Sequence, residues 1–218
     1  LDKYTMVSNS DAHSAKNLGR EATIFNTGFS YKALFNSLKT QQGFAGTLEF
    51  FPQEGKYYID GHRNCGVFSD PSVNMNVSHI CPKCHKPFTV GVLNRVMALS
   101  DRNEPLVVPN VNCKYIIPLP EIIAEIKGVG VDTKSVQKEF AHIIGLFGNE
   151  FTFLIETTLE DIQQKLGSVY TEAINRLRNC QVSPIPGYDG IYGVIRIFQP
   201  DELKELKKSM SSFSSVIS

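Results

Sequence analysis

Four side chains that commonly bind metal ions are spaced along the chain as two pairs. His62 and Cys65 form the first pair and Cys81 and Cys84 the second, with two residues inside each pair and 15 between the pairs. Each pair can place two ligands on one ion, and the interval between the pairs is typical of a zinc ribbon. Three thiolates and one imidazole would complete a tetrahedral shell with no open position for water. The spacing therefore predicts a structural zinc ion.

The sequence leaves the fourth ligand open. His85 directly follows the second cysteine pair and His79 precedes it, so either could compete with His62. Only His62, however, stands in a pair with the two-residue spacing. The two remaining cysteines, Cys113 and Cys180, lie in apolar contexts and are predicted to be buried thiols.

A carboxylate and an imidazole stand close together near the start of the chain. Asp11 and His13 follow an apolar run at residues 4–7, which is predicted to be a strand. Side chains two positions apart on an extended segment point to the same side, so both could reach one divalent ion. The alternative is a capping aspartate beside a surface histidine.

Two groups of residues could contact nucleic acid. Gly128 and Gly130 stand between two predicted helices, where the backbone N–H groups of such a turn can bind a phosphate with Lys134 alongside. Lys56 and Arg63 lie among tyrosines on the predicted ribbon, a mixture that suits unpaired or flipped bases. The alternatives are a tight turn that uses glycine for its backbone freedom and an ordinary solvated ribbon surface.

The pattern of apolar residues predicts the elements that hold these side chains. Apolar residues three and four apart predict a helix over 31–38. Strand-type runs lie at 44–51, with a hairpin partner at 56–59, and at 191–198. Cap residues and glycines delimit four more helices, from 120 to 128, from 132 or 133 to 148, from 158 to 167 and from 169 to 177. A last helix from 200 leads into a serine-rich tail at 209–218, which is predicted to be disordered.

Several segments, in order and with their spacing, resemble the endonuclease Q family. They are residues 8–20, 46–67, 81–96, 117–134 and 186–193. This family comprises bacterial and archaeal proteins that join a PHP (polymerase and histidinol phosphatase) metal domain to a zinc-binding and a helical domain. The resemblance implies metal-dependent hydrolysis of DNA on the 5′ side of a deaminated base or an abasic site. Divalent Zn, Mn or Mg ions would occupy a complete PHP site.

Within that resemblance, Asp11 and His13 match the last ligand motif of the PHP domain and would be catalytic metal ligands. The opening His-x-His motif and the middle ligands are absent, because His13 is the only histidine in the first 61 residues. The chain is therefore expected to be the C-terminal portion of such an endonuclease and to be inactive by itself. The alternative is a non-catalytic, zinc-containing module that binds nucleic acid or protein.

These observations predict an α+β fold in four consecutive parts. The parts are the last strand and helix of a PHP barrel (1–50), a zinc ribbon (51–97), a small helical domain resembling a helix-hairpin-helix (98–185), and a terminal strand, helix and tail (186–218). The ribbon has few apolar residues of its own, so its folding should depend on the metal ion.

Composition and charge limit the partners. The 218 residues carry 22 Lys and Arg against 22 Asp and Glu, so the chain has no global basic field and any DNA must be held by local cations. No run reaches the length of about 18 apolar residues that a membrane span needs. The five cysteines, an odd number, favour a reducing compartment. We therefore expect a cytoplasmic protein that binds no membrane. The resemblance to the endonuclease Q family implies damaged duplex DNA as the partner, with replication or repair proteins as further candidates.

Overall fold

A computed structural model describes residues 4–73, 79–102, 112–199 and 201–206. The chain divides into two compact units: the first contains residues up to 115 together with 184–194, and the second contains 116–183 with the residues from 195 onward. Helices and small sheets are combined, as the predicted α+β class requires. No helix in these described ranges is long and apolar enough to cross a membrane.

The first unit contains a three-stranded sheet in the order β1-β2-β5. These strands are Ala22–Phe25 (β1), Phe44–Glu49 (β2) and Asn112–Tyr115 (β5). β1 is antiparallel to β2, and β5 is parallel to β2. Phe44, Gly46 and Leu48 are the buried residues of β2, as the two-residue period of a strand requires. At Gly46 a Cβ would collide with the carbonyl of Asn112, so glycine is what lets β5 pair there.

The helix predicted over 31–38 is present as Tyr31–Thr40 (α1), and it connects β1 to β2. Ser30 caps it by accepting a hydrogen bond from the Ala33 N–H. The strand predicted over residues 4–7 is wrong, because this segment forms no strand. The adjoining Ser8 is held instead by the side chain of Thr23, whose hydroxyl both accepts from the Ser8 N–H and donates to its carbonyl. Hydrogen bonds to a side chain, and not β-sheet pairing, therefore hold the chain at Ser8.

The segment after β2 contains two short antiparallel strands and a helix. The strands are Asp60–His62 (β3) and Val67–Ser69 (β4), and the helix is Val92–Leu99 (α2). The hairpin predicted between 44–51 and 56–59 is wrong, because Pro52 begins a 3₁₀ turn that runs to Glu54 and β2 pairs elsewhere.

Four helices of the second unit lie close to their predicted positions. They are Leu119–Lys127 (α3), Lys134–Phe147 (α4), Leu159–Leu166 (α5) and Ser168–Arg178 (α6). Thr133 and Thr158 are the N-caps of α4 and α5 and accept main-chain N–H groups at 3.4 and 3.2 Å. The buried core consists mainly of branched aliphatic and aromatic residues, among them Ile122, Ile123, Ile143, Leu154, Ile162, Ile174 and Phe198.

Three predictions for the rest of the chain differ from the structure or lie outside it. The last strand is shorter than 191–198: Val194–Arg196 (β7) pairs with Ser183–Ile185 (β6). Cys113 and Cys180 are exposed rather than buried, because Cys113 lies on the outer strand β5 and Cys180 follows the end of α6 in a left-handed conformation (φ 53°). Residues 201–206 are helical, and the tail at 209–218 lies outside the described residues.

Candidate functional site

The structure brings together the four side chains that the sequence spaces as two pairs. The ligand atoms of His62, Cys65, Cys81 and Cys84 all lie within 4.8 Å of one another, and the Cys84 Sγ is 3.4 Å from the His62 Nδ1. Ligands about 2.3 Å from a zinc ion stand about 3.8 Å apart at the corners of a tetrahedron. The cluster is therefore close to the size that the ion requires, and its three sulfur atoms and one ring nitrogen suit zinc.

Short turns position the four candidate ligands. His62 is the last residue of β3, and a 3₁₀ turn from Arg63 to Cys65 places the Cys65 side chain near that of His62. Gly66, with φ of 62°, then turns the chain into β4. The second pair lies in a tight turn in which the His85 N–H donates to the Cys81 carbonyl at 2.8 Å.

The structure also separates the competing histidines. The Nδ1 of His79 lies 3.3 Å from a carboxylate oxygen of Asp60. His85 adopts a left-handed conformation (φ 59°) immediately after the turn. Among the described residues, neither belongs to the group formed by His62 and the three cysteines.

Hydrogen bonds at the cluster change the acidity of its thiols. Burial opposes ionisation of Cys81, but the main-chain N–H groups of Cys84 and Lys83 and the side chains of His62 and Cys84 outweigh it and lower the pKa of Cys81 to about 6. A hydrogen bond with Cys84, together with burial and the proximity of Cys81, raises the pKa of Cys65 to about 11. One thiolate is thus favoured, and a divalent ion would displace the protons from the others.

Two carboxylates that the sequence analysis did not identify support this region. Asp60 is buried and accepts hydrogen bonds from the Gly91 N–H and the Asn94 amide, both at 2.6 Å. Asp189 accepts from the Thr89 hydroxyl at 2.6 Å and from the Arg63 N–H at 2.7 Å. The hydrogen bond from Thr89 lowers the pKa of Asp189, and the main-chain N–H and the charge of Arg63 lower it further, against the opposing effect of burial. The negative charge of Asp189 is therefore stabilised where the carboxylate holds the turn that follows His62.

Asp11 and His13 are both exposed. The His13 Nδ1 is 2.7 Å from the Asp11 carbonyl oxygen. A carbonyl only accepts, so this bond places the ring proton on Nδ1 and leaves Nε2 available to a metal ion. Within the described ranges, no third His, Cys, Asp or Glu forms a ligand group with this pair.

The predicted glycine turn lies between α3 and α4. Gly128 (φ 68°) ends α3, and its N–H donates to the Ala124 carbonyl at 2.8 Å. The N–H groups of Gly130 and Val131 donate to no acceptor in the part of the chain that the structure describes. Gly128, Gly130 and Lys134 are exposed. The turn thus presents main-chain donors and a cation to solvent, as a phosphate site requires.

Solved structures of endonuclease Q resemble this chain in fold. The lesion-specific endonuclease PfuEndoQ from Pyrococcus furiosus superposes with a TM-score of 0.76 and 28% identity, over 91% of this chain and 52% of that one. This chain is similar to endonuclease Q. A second structure, an endonuclease Q complex with a 27-mer duplex substrate that has an abasic lesion at the active site, has a TM-score of 0.74 at 28% identity and covers 91% of this chain and 51% of that one.

Sequence comparisons cover the same region. A family model described as the MJ0043 C-terminal domain matches residues 118–181, which include α3 to α6. The uncharacterized protein MJ0043 of Methanocaldococcus jannaschii is 29% identical over 97% of this chain and 28% of its own length. The uncharacterized protein YqxK of Bacillus subtilis is 30% identical over 90% of this chain and 48% of its own length. The chain thus spans half or less of these curated relatives and about half of endonuclease Q.

Proposed function

We propose that this chain carries the DNA-recognising part of a metal-dependent repair endonuclease. The observation that carries this proposal is the similarity to endonuclease Q, one structure of which holds duplex DNA with an abasic lesion. The reaction we propose is hydrolysis of the phosphodiester on the 5′ side of a deaminated base or an abasic site.

The cysteine and histidine cluster is proposed to hold a structural zinc ion. His62, Cys65, Cys81 and Cys84 would occupy all four tetrahedral positions, so no position would remain for an activated water molecule. The ion would link β3 and the turns around it. Its contribution is therefore to the folding of the ribbon and not to the hydrolysis itself.

Asp11 and His13 are proposed to belong to the catalytic metal site of a PHP barrel, of which this chain would carry the last strand and helix. Divalent ions at such a site activate water and neutralise the phosphate charge. With its proton on Nδ1, His13 would offer Nε2 to an ion, and the Asp11 carboxylate would supply a second ligand atom. Two ligands do not build a site of two or three ions, so we propose that cleavage needs further residues of a longer protein.

DNA is proposed to contact the chain at the exposed turn between α3 and α4 and at the ribbon. Gly128 and Gly130 would bind one phosphate through the turn, with Lys134 beside it. Lys56 and Arg63, both exposed, would supply cations on the ribbon. These local cations are needed because the chain as a whole has zero formal charge.

The test compares this chain with the full-length protein on matched duplexes that contain uracil, hypoxanthine, an abasic site or no lesion. We expect this chain to bind the lesion duplexes more tightly than the intact one and to cleave none of them. The full-length protein should nick them on the 5′ side of the lesion with an added divalent ion. Its Asp11→Asn variant should lose cleavage and keep DNA affinity, because only a metal ligand has changed.

Equal binding of all four duplexes, with no cleavage by the full-length protein, would support the interaction module instead. Metal-dependent nicking by this chain that vanishes with Asp11→Asn would show that the site needs no further residues.

A further inference from the structure

Two exposed tyrosines and a lysine form one surface of the first unit. The Lys56 Nζ lies 5.7 Å from the ring centroid of Tyr57 and 5.6 Å from that of Tyr192. Tyr192 is 70% exposed and Tyr57 is 45% exposed, although tyrosine rings are apolar enough to be buried in a protein core. Cation–π attraction holds the ammonium group at a defined place beside both rings.

Arg63 extends this surface. A Cβ built on Gly190 would stand 3.1 Å from the Arg63 Nη1 and 3.7 Å from the Tyr57 hydroxyl oxygen. The guanidinium and the phenol therefore both lie over Gly190, which leaves room for them because glycine has no side chain. We call Lys56, Tyr57, Arg63 and Tyr192 the tyrosine surface.

Main-chain hydrogen bonds fix the two segments that carry the tyrosine surface, which are far apart in the sequence. The Gly190 N–H donates to the Lys56 carbonyl at 2.8 Å, and the Gly193 N–H donates to the Glu54 carbonyl at 3.0 Å. Any Cβ on Gly187 or Gly193 would collide with main-chain atoms of the opposite segment. The rings are therefore mounted on a closely packed backbone, so that little ordering is needed when they bind a ligand.

A third tyrosine of the same segment shows what a structural role looks like here. The ring of Tyr188 lies 5.0 Å from that of Phe68 and packs so closely against Gly61 that no side chain would fit there. In contrast, neither Tyr57 nor Tyr192 stacks on another aromatic ring among the described residues. Their exposed rings therefore make no ring–ring packing contact comparable to that of Tyr188.

We propose that the tyrosine surface stacks an unpaired nucleobase of DNA, while Lys56 and Arg63 contact the phosphates on either side of it. Exposed aromatic rings with interleaved cations are the features that bind single-stranded nucleic acid, because every base offers a face for stacking. Tyrosine and arginine are also enriched in protein interfaces, but lysine is depleted there, and the lysine beside the two rings favours a polyanionic ligand. This inference rests on the proposed function as a DNA binder and adds the face that receives an unpaired nucleotide.

The charge around the rings agrees with a polyanionic ligand. Asp189 is the acidic residue of the same loop, and its carboxylate already accepts hydrogen bonds from Thr89 and Arg63. The side chains of Lys56 and Arg63 are exposed. A phosphate therefore meets two cations and a carboxylate whose acceptor atoms are already engaged.

The test measures binding of the 218-residue chain to a labelled short single strand and to a blunt duplex of the same sequence by fluorescence anisotropy. Tyr192→Ala should weaken single-strand binding about tenfold, because one stacked base contributes a factor of this order. It should change duplex binding less than about twofold, since paired bases cannot stack on the ring. Tyr192→Phe keeps the ring and should bind like the native chain. Tyr31→Ala removes another exposed tyrosine and is the matched control.

A second measurement does not depend on any variant. A strand that contains 5-bromouracil should crosslink on irradiation to Tyr192 or Tyr57, identified by mass spectrometry. Crosslinks only to other tyrosines, or equal loss of single-strand and duplex binding in Tyr192→Ala, would overturn the stacking role. Native DNA binding that is unchanged in Tyr192→Ala would refute this inference and leave the proposed function standing. A folded native chain that binds neither DNA would refute both.

Discussion

Cys81 is the proposed zinc ligand whose loss should do the most damage. It is fully buried, its N–H donates to the Lys86 carbonyl, and its own carbonyl accepts from His85. We expect Cys81→Ser to lose most of the metal, because serine replaces a strong sulfur ligand of zinc with a weak oxygen one. Metal analysis should find about one zinc per native chain and far less in the variant. Cys113→Ser, which changes an exposed thiol outside the cluster, should keep its zinc.

Two outcomes of the metal analysis would contradict this prediction. A native chain with much less than one zinc would refute the zinc assignment, and full zinc content in Cys81→Ser would show that this sulfur is not a ligand.

At the level of single residues, the members of the cysteine and histidine cluster could be predicted, and the residues that support the cluster could not. The spacing of His62, Cys65, Cys81 and Cys84 is local information, and it was enough to select residues that the fold brings together. Asp189 is different, because it lies 126 positions from Arg63 and 100 from Thr89. No local pattern links residues so far apart, so contacts of this kind appear only in the folded chain.

Among the elements, the helix at residues 201–206 is held to α6 by an ion pair. The Arg176 guanidinium donates to both carboxylate oxygens of Glu202, at 2.9 and 2.6 Å, and also to Glu172. The Arg176 hydrogen bond, with a further one from the Gln199 N–H, lowers the pKa of Glu202 to about 2. Both partners remain partly exposed, so solvent weakens the pair.

This pair predicts a pH dependence with a definite sign. In the unfolded chain Glu202 takes up its proton near its ordinary pKa of 4.5, whereas in the folded chain it does so only near 2. The stabilisation is therefore complete above about pH 4.5 and is lost as the pH falls toward 2. We expect Glu202→Gln to reduce the free energy of unfolding by about 1 kcal/mol at neutral pH, and the difference from the native chain to shrink in acid.

Urea unfolding of both proteins at neutral pH and near pH 3 checks this prediction. Glu205→Gln, at an exposed position of the same helix, is the control and should have little effect at either pH. A difference between native chain and Glu202→Gln that does not depend on pH would show that the ion pair is not its source.

The turn between α3 and α4 allows a second test at this scale. Lys134→Glu would place a negative charge beside the open N–H groups of the turn and next to Asp132. We expect it to weaken binding to intact and lesion-containing DNA alike, by about three- to tenfold at low salt, since phosphates carry no sequence information. Lys39→Glu, at an exposed position of α1, makes the same change in net charge and should have a smaller effect. Equal loss in both variants would indicate only a general charge effect.

Helices were more predictable than strands. Thr133, Thr158 and Gly128 delimit helices through local caps, so their signals are contained in the elements themselves. A strand needs a partner, and β2 pairs with β5 more than 60 positions later, at Gly46 and Asn112. The apolar run at 4–7 looks like a strand but finds no ladder, and 191–198 is shortened to three paired residues.

For the whole molecule, the first unit is built from two separate parts of the sequence. Residues 184–194 return to the unit that contains the cysteine and histidine cluster, and both the tyrosine surface and the Asp189 contacts depend on that return. The division into four consecutive parts, at 50, 97 and 185, stays a prediction. Composition and local periodicity contain no sign of such a return, because it is a property of the folded chain.

The net charge of zero makes a prediction about salt. If Lys56, Arg63 and Lys134 each neutralise one phosphate, few counterions are released on binding. The slope of log affinity against log salt should then be about −2 to −3, with a dissociation constant on the order of micromolar at physiological salt. Anisotropy titrations of the intact duplex at several salt concentrations measure this slope. Arg63→Ala should make it shallower by about one, because one phosphate contact is lost. A slope near zero would show that phosphates are not contacted, and one near −8 would require a far more extensive cationic surface than these three residues.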